Sequence, residues 1–218
     1  MENQKIWHRT NKLNSQSQIP AIFLDKDGTL IENVPNNVDP QLIEMKIGAL
    51  EGLQILSKAG YKLIVITNQS GVARDYFPES ALMGVEARLN EILEKADLSL
   101  DGFYYCPHHP NGVIFEYAIA CDCRKPKPGL ILRAASEQNI DLANSWFIGD
   151  NLSDVEAGHS AGCKTILIDQ GNQSQPQMSR LGIADYILAN LSNERYMIVN
   201  DLLPWAKLQA KFPDMYSK

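Results

Sequence analysis

Asp25 and Asp27 stand two residues apart in FLDKDGTLI, directly after the apolar run Ala21 to Leu24. In extended backbone the two carboxylates turn the same way and Lys26 points away. Gly28 then permits a sharp turn. An aspartate attacks an anionic phosphate ester only where the surrounding charge is compensated, and a magnesium ion shared by carboxylate and phosphoryl group does this. A second carboxyl can protonate the leaving oxygen and later deprotonate the attacking water. Asp25 is therefore the candidate nucleophile and Asp27 the candidate acid and base. Read alone, the string fits two solvated or capping aspartates equally well, so later segments decide.

Three such segments carry suitable groups. In FIGDNLSD, Asp150 is placed to complete a magnesium shell, Asp154 stands one helical turn on to hold the ion or a bound water, and Gly149 supplies a turn. Thr67 closes the apolar run LIVI, where its hydroxyl and amide can donate to phosphate oxygens while the turn after it cradles them. In CRKPKPG, Arg124, Lys125 and Lys127 lie among prolines, and Lys125, the most rigidly flanked, is expected to neutralise the nucleophile and the phosphoryl oxygens.

The string CPHHPNGVIFEYAIACDCRKP carries a second metal signal. Cys106, Cys121 and Cys123, with either His108 or His109, have the spacing of a tetrahedral Cys3His zinc site. Four protein ligands leave no open position, so such a site is structural, tying together a loop with little apolar content. Ordering it would also order Arg124 and Lys125. Cys163, in AGCKTILI, reads as a small buried hydrophobe.

The elements that must position these groups alternate. Strands are expected at Ala21 to Leu24, Leu63 to Ile66, Trp146 to Ile148, Thr165 to Ile168 and Ala184 to Leu188. Helices are expected from Gly48 to Ala59 with Gly60 as the stop, from Glu79 to Ala96, from Pro128 to about Asn139 and from Leu152 to Ala161, with a closing helix interrupted by Pro204. This pattern predicts an α/β fold, a Rossmann-like parallel sheet with helices on both faces, whose strand ends gather the site residues at one rim. Fewer than 40 residues separate Thr29 from Thr67, so no large cap domain fits between them. The expected organisation is a polar N-terminal extension at 1–18, one catalytic domain at 19–190 with a zinc loop at 106–123, and a C-terminal extension at 191–218 packed on the same domain.

The chain has 218 residues, 44% hydrophobic and 21% charged, with a net charge of -6. That balance, without a dense Lys/Arg block, argues against a nucleic-acid partner and leaves a small phosphorylated metabolite. The polar start contains no signal peptide, and no segment approaches the roughly 18 continuous apolar residues of a membrane span. A cytoplasmic monomer without membrane contact is expected.

DKDGT, TN, Lys125 and GDNLSD, in that order, resemble the four motifs of the haloacid dehalogenase (HAD) superfamily over residues 19–190. The resemblance implies a magnesium-dependent phosphatase with Asp25 as nucleophile, Asp27 as acid/base, Thr67 as phosphate-binding hydroxyl, Lys125 as motif lysine and Asp150 as metal ligand, Asp27 meeting magnesium through its backbone carbonyl. LDKDGTLI, TNQSGVAR, CPHHP and CDCRKPKPG together resemble the D-glycero-D-manno-heptose 1,7-bisphosphate phosphatase family and, more distantly, the histidinol-phosphatase domain. The former implies a hydrolase that removes the 7-phosphate of a bisphosphorylated sugar in nucleotide-heptose synthesis, which feeds surface lipopolysaccharide. It also implies His108 rather than His109 as the zinc ligand, and substrate contacts at Asn68, Gln69, Ser70, Arg74, Arg124 and Lys125. Arg124 suits a second phosphate because a guanidinium grips such a group through paired hydrogen bonds. Three departures bear on substrate rather than reaction: Asp75 where the family form has glycine, Asn151 where some members have lysine, and VPNNVDPQ in place of a histidine-bearing loop. The alternatives are a histidinol-phosphate or other small phosphomonoester phosphatase, a nucleic-acid end-processing phosphatase, and a zinc-stabilised phosphate-binding module without turnover.

Overall fold

The computed structural model describes residues 17–46, 48–169 and 186–189. The expected closing helix, the 191–218 extension and nearly all of the 1–18 extension lie outside these residues. Six strands form one sheet: β1 (Ala21–Leu24), β2 (Lys62–Asn68), β3 (Gly102–Cys106), β4 (Trp146–Gly149), β5 (Lys164–Asp169) and β6 (Tyr186–Ala189). Their order is β3-β2-β1-β4-β5-β6 and every pairing is parallel. Among the described residues four α-helices make the crossovers from β1 through to β5: α1 (Ala49–Lys58), α2 (Ala81–Glu94), α3 (Gly129–Gln138) and α4 (Leu152–Ala161).

Side-chain alternation along the strands divides the core in two. Ile22 and Leu24 of β1 pack with Leu53 and Leu56 of α1 and with Val85 and Leu89 of α2. Ala21 and Phe23 face the opposite way and pack with Leu130 and Ile131 of α3 and Ala157 of α4. The sheet is thus covered on both faces, which is why β1 reads as an unbroken apolar run. Helix ends follow the local chemistry. Gly60 takes a left-handed φ of 92° just beyond α1, and Asn139 does the same at the end of α3, with φ 54°.

The structure adds one strand that the periodicity does not reveal. β3 lies at the sheet edge, where Gly102 to Tyr105 are only half buried, so GFYYC lacks the apolar run of a central strand. Cys106 therefore ends a strand rather than opening a loop. β2 extends through Thr67 and Asn68, so Thr67 is a strand residue and the turn begins at Gln69. Among the described residues no separate domain interrupts the connection from β1 to α1, which holds only a short 3-10 turn at Pro40–Leu42. No helix among the described residues is long and apolar enough to cross a membrane.

Candidate active site

The strand order reverses between β1 and β4, and the crevice outside their carboxyl ends is where a doubly wound sheet binds ligands. Leu24 is paired with Ile148, and the Asp25 amide donates to the Ile148 carbonyl at 2.9 Å, so Asp25 and Asp150 leave adjacent strands close together. Asp25, Asp150 and Asp154 each bring a carboxylate oxygen within 4.8 Å of the others.

Lys125 enters this acidic cluster from the segment before α3. Its buried ammonium donates to Asp25 Oδ1 at 2.5 Å and to the Ile66 carbonyl at 2.9 Å, and pairs with Asp154 Oδ1 at 2.7 Å. Three protons meet three acceptors, which fixes the group. The backbone of Lys125 is held as well: Asn68 Nδ2 donates to its carbonyl at 3.2 Å and Asn68 Oδ1 accepts from its amide at 3.1 Å. Asn68, expected as a substrate contact, thus has its side-chain amide turned onto the lysine.

Burial governs the electrostatics. It pushes the Asp25 carboxyl up to about 7, the neighbouring Asp154 and Asp150 adding to the rise and Lys125 opposing it. Asp150 is pushed up to about 6 by burial and then by Asp154. For Lys125, burial works against the charged form, but Asp25 and Asp154 outweigh it and its pKa is raised. A crowded, desolvated carboxylate pair is a donor set for a hard divalent cation. Asp25, Asp150 and the nearby Asp27 backbone would hold magnesium.

Asp154, expected to hold the ion or a bound water, stands in that carboxylate cluster, and protein contacts also engage it. One oxygen pairs with Lys125, and Oδ2 accepts from the Asn151 amide at 3.0 Å, closing a capping box in which Asn151 Oδ1 accepts from Ser153. Gly149 differs in its reason. Its φ is not positive, but a Cβ there would run into the Asp154 carboxyl, so glycine is needed for close approach rather than for a turn.

Asp27 stands apart from the carboxylate cluster. Lys26 does not turn away from it: the buried Lys26 ammonium donates to Asp27 Oδ1 at 2.6 Å, because the tight turn at Gly28 (φ 84°) folds the chain back. Gln69 Nε2 donates to Asp27 Oδ2 at 3.1 Å and to Thr67 Oγ1 at 2.9 Å. Gln69 is buried, with both amide protons committed inside the protein. Asp25, Asp27, Thr67, Lys125 and Asp150 line one cleft of about 220 Å³, joined at its rim by Asn33, Asn151 and Ser153. Lys26 and Asn33 carry no motif signal, since one is a spacer between two aspartates and the other lies in an irregular loop.

The remaining predicted contacts lie on the zinc-loop side. Ser70 is half buried and Arg74 exposed. Arg74 Nη2 lies 3.1 Å from His109 Nε2, and Arg124 donates to the His108 carbonyl at 3.4 Å. Burial, then Arg124 and Arg74, lower the His109 pKa, so this corner favours negative charge. Asp75 adopts a left-handed φ of 61°, the backbone form that glycine takes most readily.

Cys106, His108, Cys121 and Cys123 converge. Their Sγ–Sγ separations are 3.1, 3.2 and 3.5 Å, and His108 Nδ1 lies 3.2 and 3.7 Å from the sulfurs of Cys123 and Cys106. A tetrahedron with zinc–sulfur bonds of about 2.3 Å has edges of roughly 3.8 Å; the three thiols and one imidazole, somewhat closer together than that, could hold a metal ion. His109 is engaged elsewhere: its Nδ1 accepts from the Asn111 amide.

Comparison with known proteins gives a consistent picture. The HAD-hydrolase-like family model matches residues 122–193. D-glycero-beta-D-manno-heptose-1,7-bisphosphate 7-phosphatase of Escherichia coli (strain K12) is 39% identical over 178 residues, covering 80% of this chain and 91% of the relative. The Haemophilus influenzae protein of the same name is 41% identical over 174 residues, covering 78% and 92%. Among solved structures, D,D-heptose 1,7-bisphosphate phosphatase from B. bronchiseptica, complexed with magnesium and phosphate, superposes with a TM-score of 0.69 at 26% identity, covering 86% of this chain and 99% of that one. An HAD-like phosphatase from Mesorhizobium loti gives a TM-score of 0.67 at 36% identity, covering 73% and 77%.

Proposed function

Because the chain belongs to the D-glycero-D-manno-heptose-1,7-bisphosphate phosphatase family of HAD-superfamily hydrolases, we propose that it removes the 7-phosphate of that sugar through an aspartyl-phosphate on Asp25. The carrying observation is the Lys125 ammonium bound to Asp25 Oδ1 beside Asp150 at the switch point of the sheet. Lys125 orients Asp25 and leaves its other oxygen to attack phosphorus. The bond from phosphorus to the sugar oxygen breaks, its electron pair stays on that oxygen, and Asp27 supplies the proton. Asp27 then takes a proton from the water that cleaves the aspartyl-phosphate, regenerating Asp25 and releasing phosphate. Thr67 donates to the phosphoryl oxygens. Asp25, Asp150 and the Asp27 backbone carbonyl would hold magnesium, which when bound would compensate the charge of the anionic reactants.

The unit that performs this is residues 19–190, with zinc on Cys106, His108, Cys121 and Cys123 as its structural ion and the segments 1–18 and 191–218 as extensions. Arg74 and Arg124, both beside the His108–His109 pair, are the groups for the non-reacting phosphate, with Ser70 at the edge of the turn. The net charge of -6 and the small cleft support a compact sugar over nucleic acid; the proposal includes a monomer acting in the cytoplasm.

The test is phosphate release from the 1,7-bisphosphate. It should require magnesium and vanish in Asp25→Asn. Failure to hydrolyse any of a panel of sugar phosphates would refute the reaction. Arg124→Ala should weaken use of the bisphosphate far more than of a monophosphate such as histidinol phosphate; equal losses on both would favour the small-phosphomonoester reading instead.

A further inference from the structure

We propose that Lys26 and Gln69 are positioning residues that clamp the Asp27 carboxylate from two sides so that its proton is delivered to the leaving sugar oxygen. The proposal rests on the reading of Asp25 and Asp27 given above and adds two residues to it. Each oxygen of Asp27 has its own donor: Lys26 Nζ on Oδ1 at 2.6 Å and Gln69 Nε2 on Oδ2 at 3.1 Å. The clamp is built from the protein interior. Lys26 is 1% exposed and Gln69 6%, whereas the Asp27 side chain keeps 31% of its surface toward the cleft. A lysine buried to that degree is rare unless paired, and its ammonium has Asp27 beside it.

The Gln69 amide presents Nε2 to Asp27 Oδ2, occupying one lone pair of that oxygen and leaving the other for the proton that is transferred. The second Nε2 proton goes to Thr67 Oγ1 at 2.9 Å. Thr67 therefore accepts from Gln69 and keeps its own hydroxyl proton for the cleft that it lines. One side chain thus sets both the acid and the phosphate-binding hydroxyl. Among the described residues the Lys26 ammonium reaches only the acid. The carboxylate retains a second lone pair on each oxygen, and with rotation prevented one of these faces the cleft.

The two arms separate experimentally through the leaving group. A sugar oxygen must be protonated as it departs, whereas p-nitrophenolate leaves without a proton, so the ratio of the two transfer rates reads the acid alone. Rapid-quench single turnovers of the magnesium-loaded full chain would measure phosphate on Asp25 from the heptose 1,7-bisphosphate and from p-nitrophenyl phosphate. Lys26→Met should lower the sugar-to-aryl ratio roughly tenfold, with the aryl rate falling less than about threefold, a fraction of what a general acid contributes. Gln69→Leu should lower the ratio as well and also slow both substrates, through Thr67. Lys26→Arg, which keeps a donor, should return the ratio to within about threefold of the parent. Where circular dichroism shows Lys26→Met unfolded, Gln69→Leu and Lys26→Arg carry the test. Unchanged ratios, or equal losses on both substrates, would overturn the clamp and leave Asp25 as nucleophile standing. Absence of phosphate on Asp25 from either substrate in the unaltered protein would overturn the underlying reading and the clamp with it.

Discussion

Replacing Asp154 by asparagine removes a charge without changing shape. Its ion pair with Lys125 spans 2.7 Å between side chains only 2% and 3% exposed, and its second oxygen caps α4 at the Asn151 amide. An amide offers one oxygen to these two donors and must turn its NH2 toward the other. The lost charge-assisted bond is worth about 1.5–3 kcal/mol, and the weakened cap roughly 1 kcal/mol. Relief of the repulsion that Asp154 exerts on Asp25 and Asp150 offsets part of this. A net loss of about 2 kcal/mol lowers Tm by roughly 4–8 °C in a chain of this size. Thermal unfolding followed by circular dichroism in magnesium-free buffer measures that shift. The kcat should fall as well, because Lys125 loses one of its three acceptors. A Tm within about 1 °C of the parent together with an intact kcat would refute the reasoning, since Asp25 and Ile66 would then suffice to hold Lys125.

Asp25 and Asp150 hold their protons more tightly in the folded chain than their ordinary value of 3.8 implies, at about 7 and about 6. Folding therefore takes up protons, and this stability, full below pH of about 4, is lost as pH rises through 6 and 7. If Asp25 and Asp150 hold magnesium as proposed, it binds them ionised and its stabilising Tm shift should grow between pH 5 and 8; a shift of constant size across that window would show that these carboxyls are not its ligands. Metal analysis should find one zinc ion per chain, and Cys121→Ser should lower both Tm and activity. Unchanged stability in that variant would show that the cluster holds no structural metal.

Legibility in the sequence followed how local each determinant is. The central strands and the amphipathic helices are written in neighbouring side chains, and so is the pair Asp25 and Asp150, because strand-end residues in a parallel sheet emerge at one rim. β3 was hidden because an edge strand buries little and its aromatic residues carry no clean alternation. Asp154 is legible as a carboxylate one helical turn past Asp150, but its ion pair with Lys125 is not, because only the three-dimensional fold brings that lysine to it. Lys26 was read as a spacer because strand geometry turns alternate side chains apart, and the left-handed Gly28 ends that geometry one residue after Asp27.

Asn68 and Gln69 show the limit most clearly. In sequence both follow the apolar run LIVI, which favours a direct contact with substrate. In the structure Asn68 brackets the backbone of Lys125, whereas Gln69 joins Asp27 to Thr67. The nucleophile's lysine is reached through one residue and the acid through the next. β2 thereby fixes both halves of the reaction from a single strand end, and a change in its register would displace Lys125 and Asp27 together. β2 lies between β1 and β3, with a parallel partner on each side. A strand whose terminal residues set two reacting groups tolerates less motion than an edge provides.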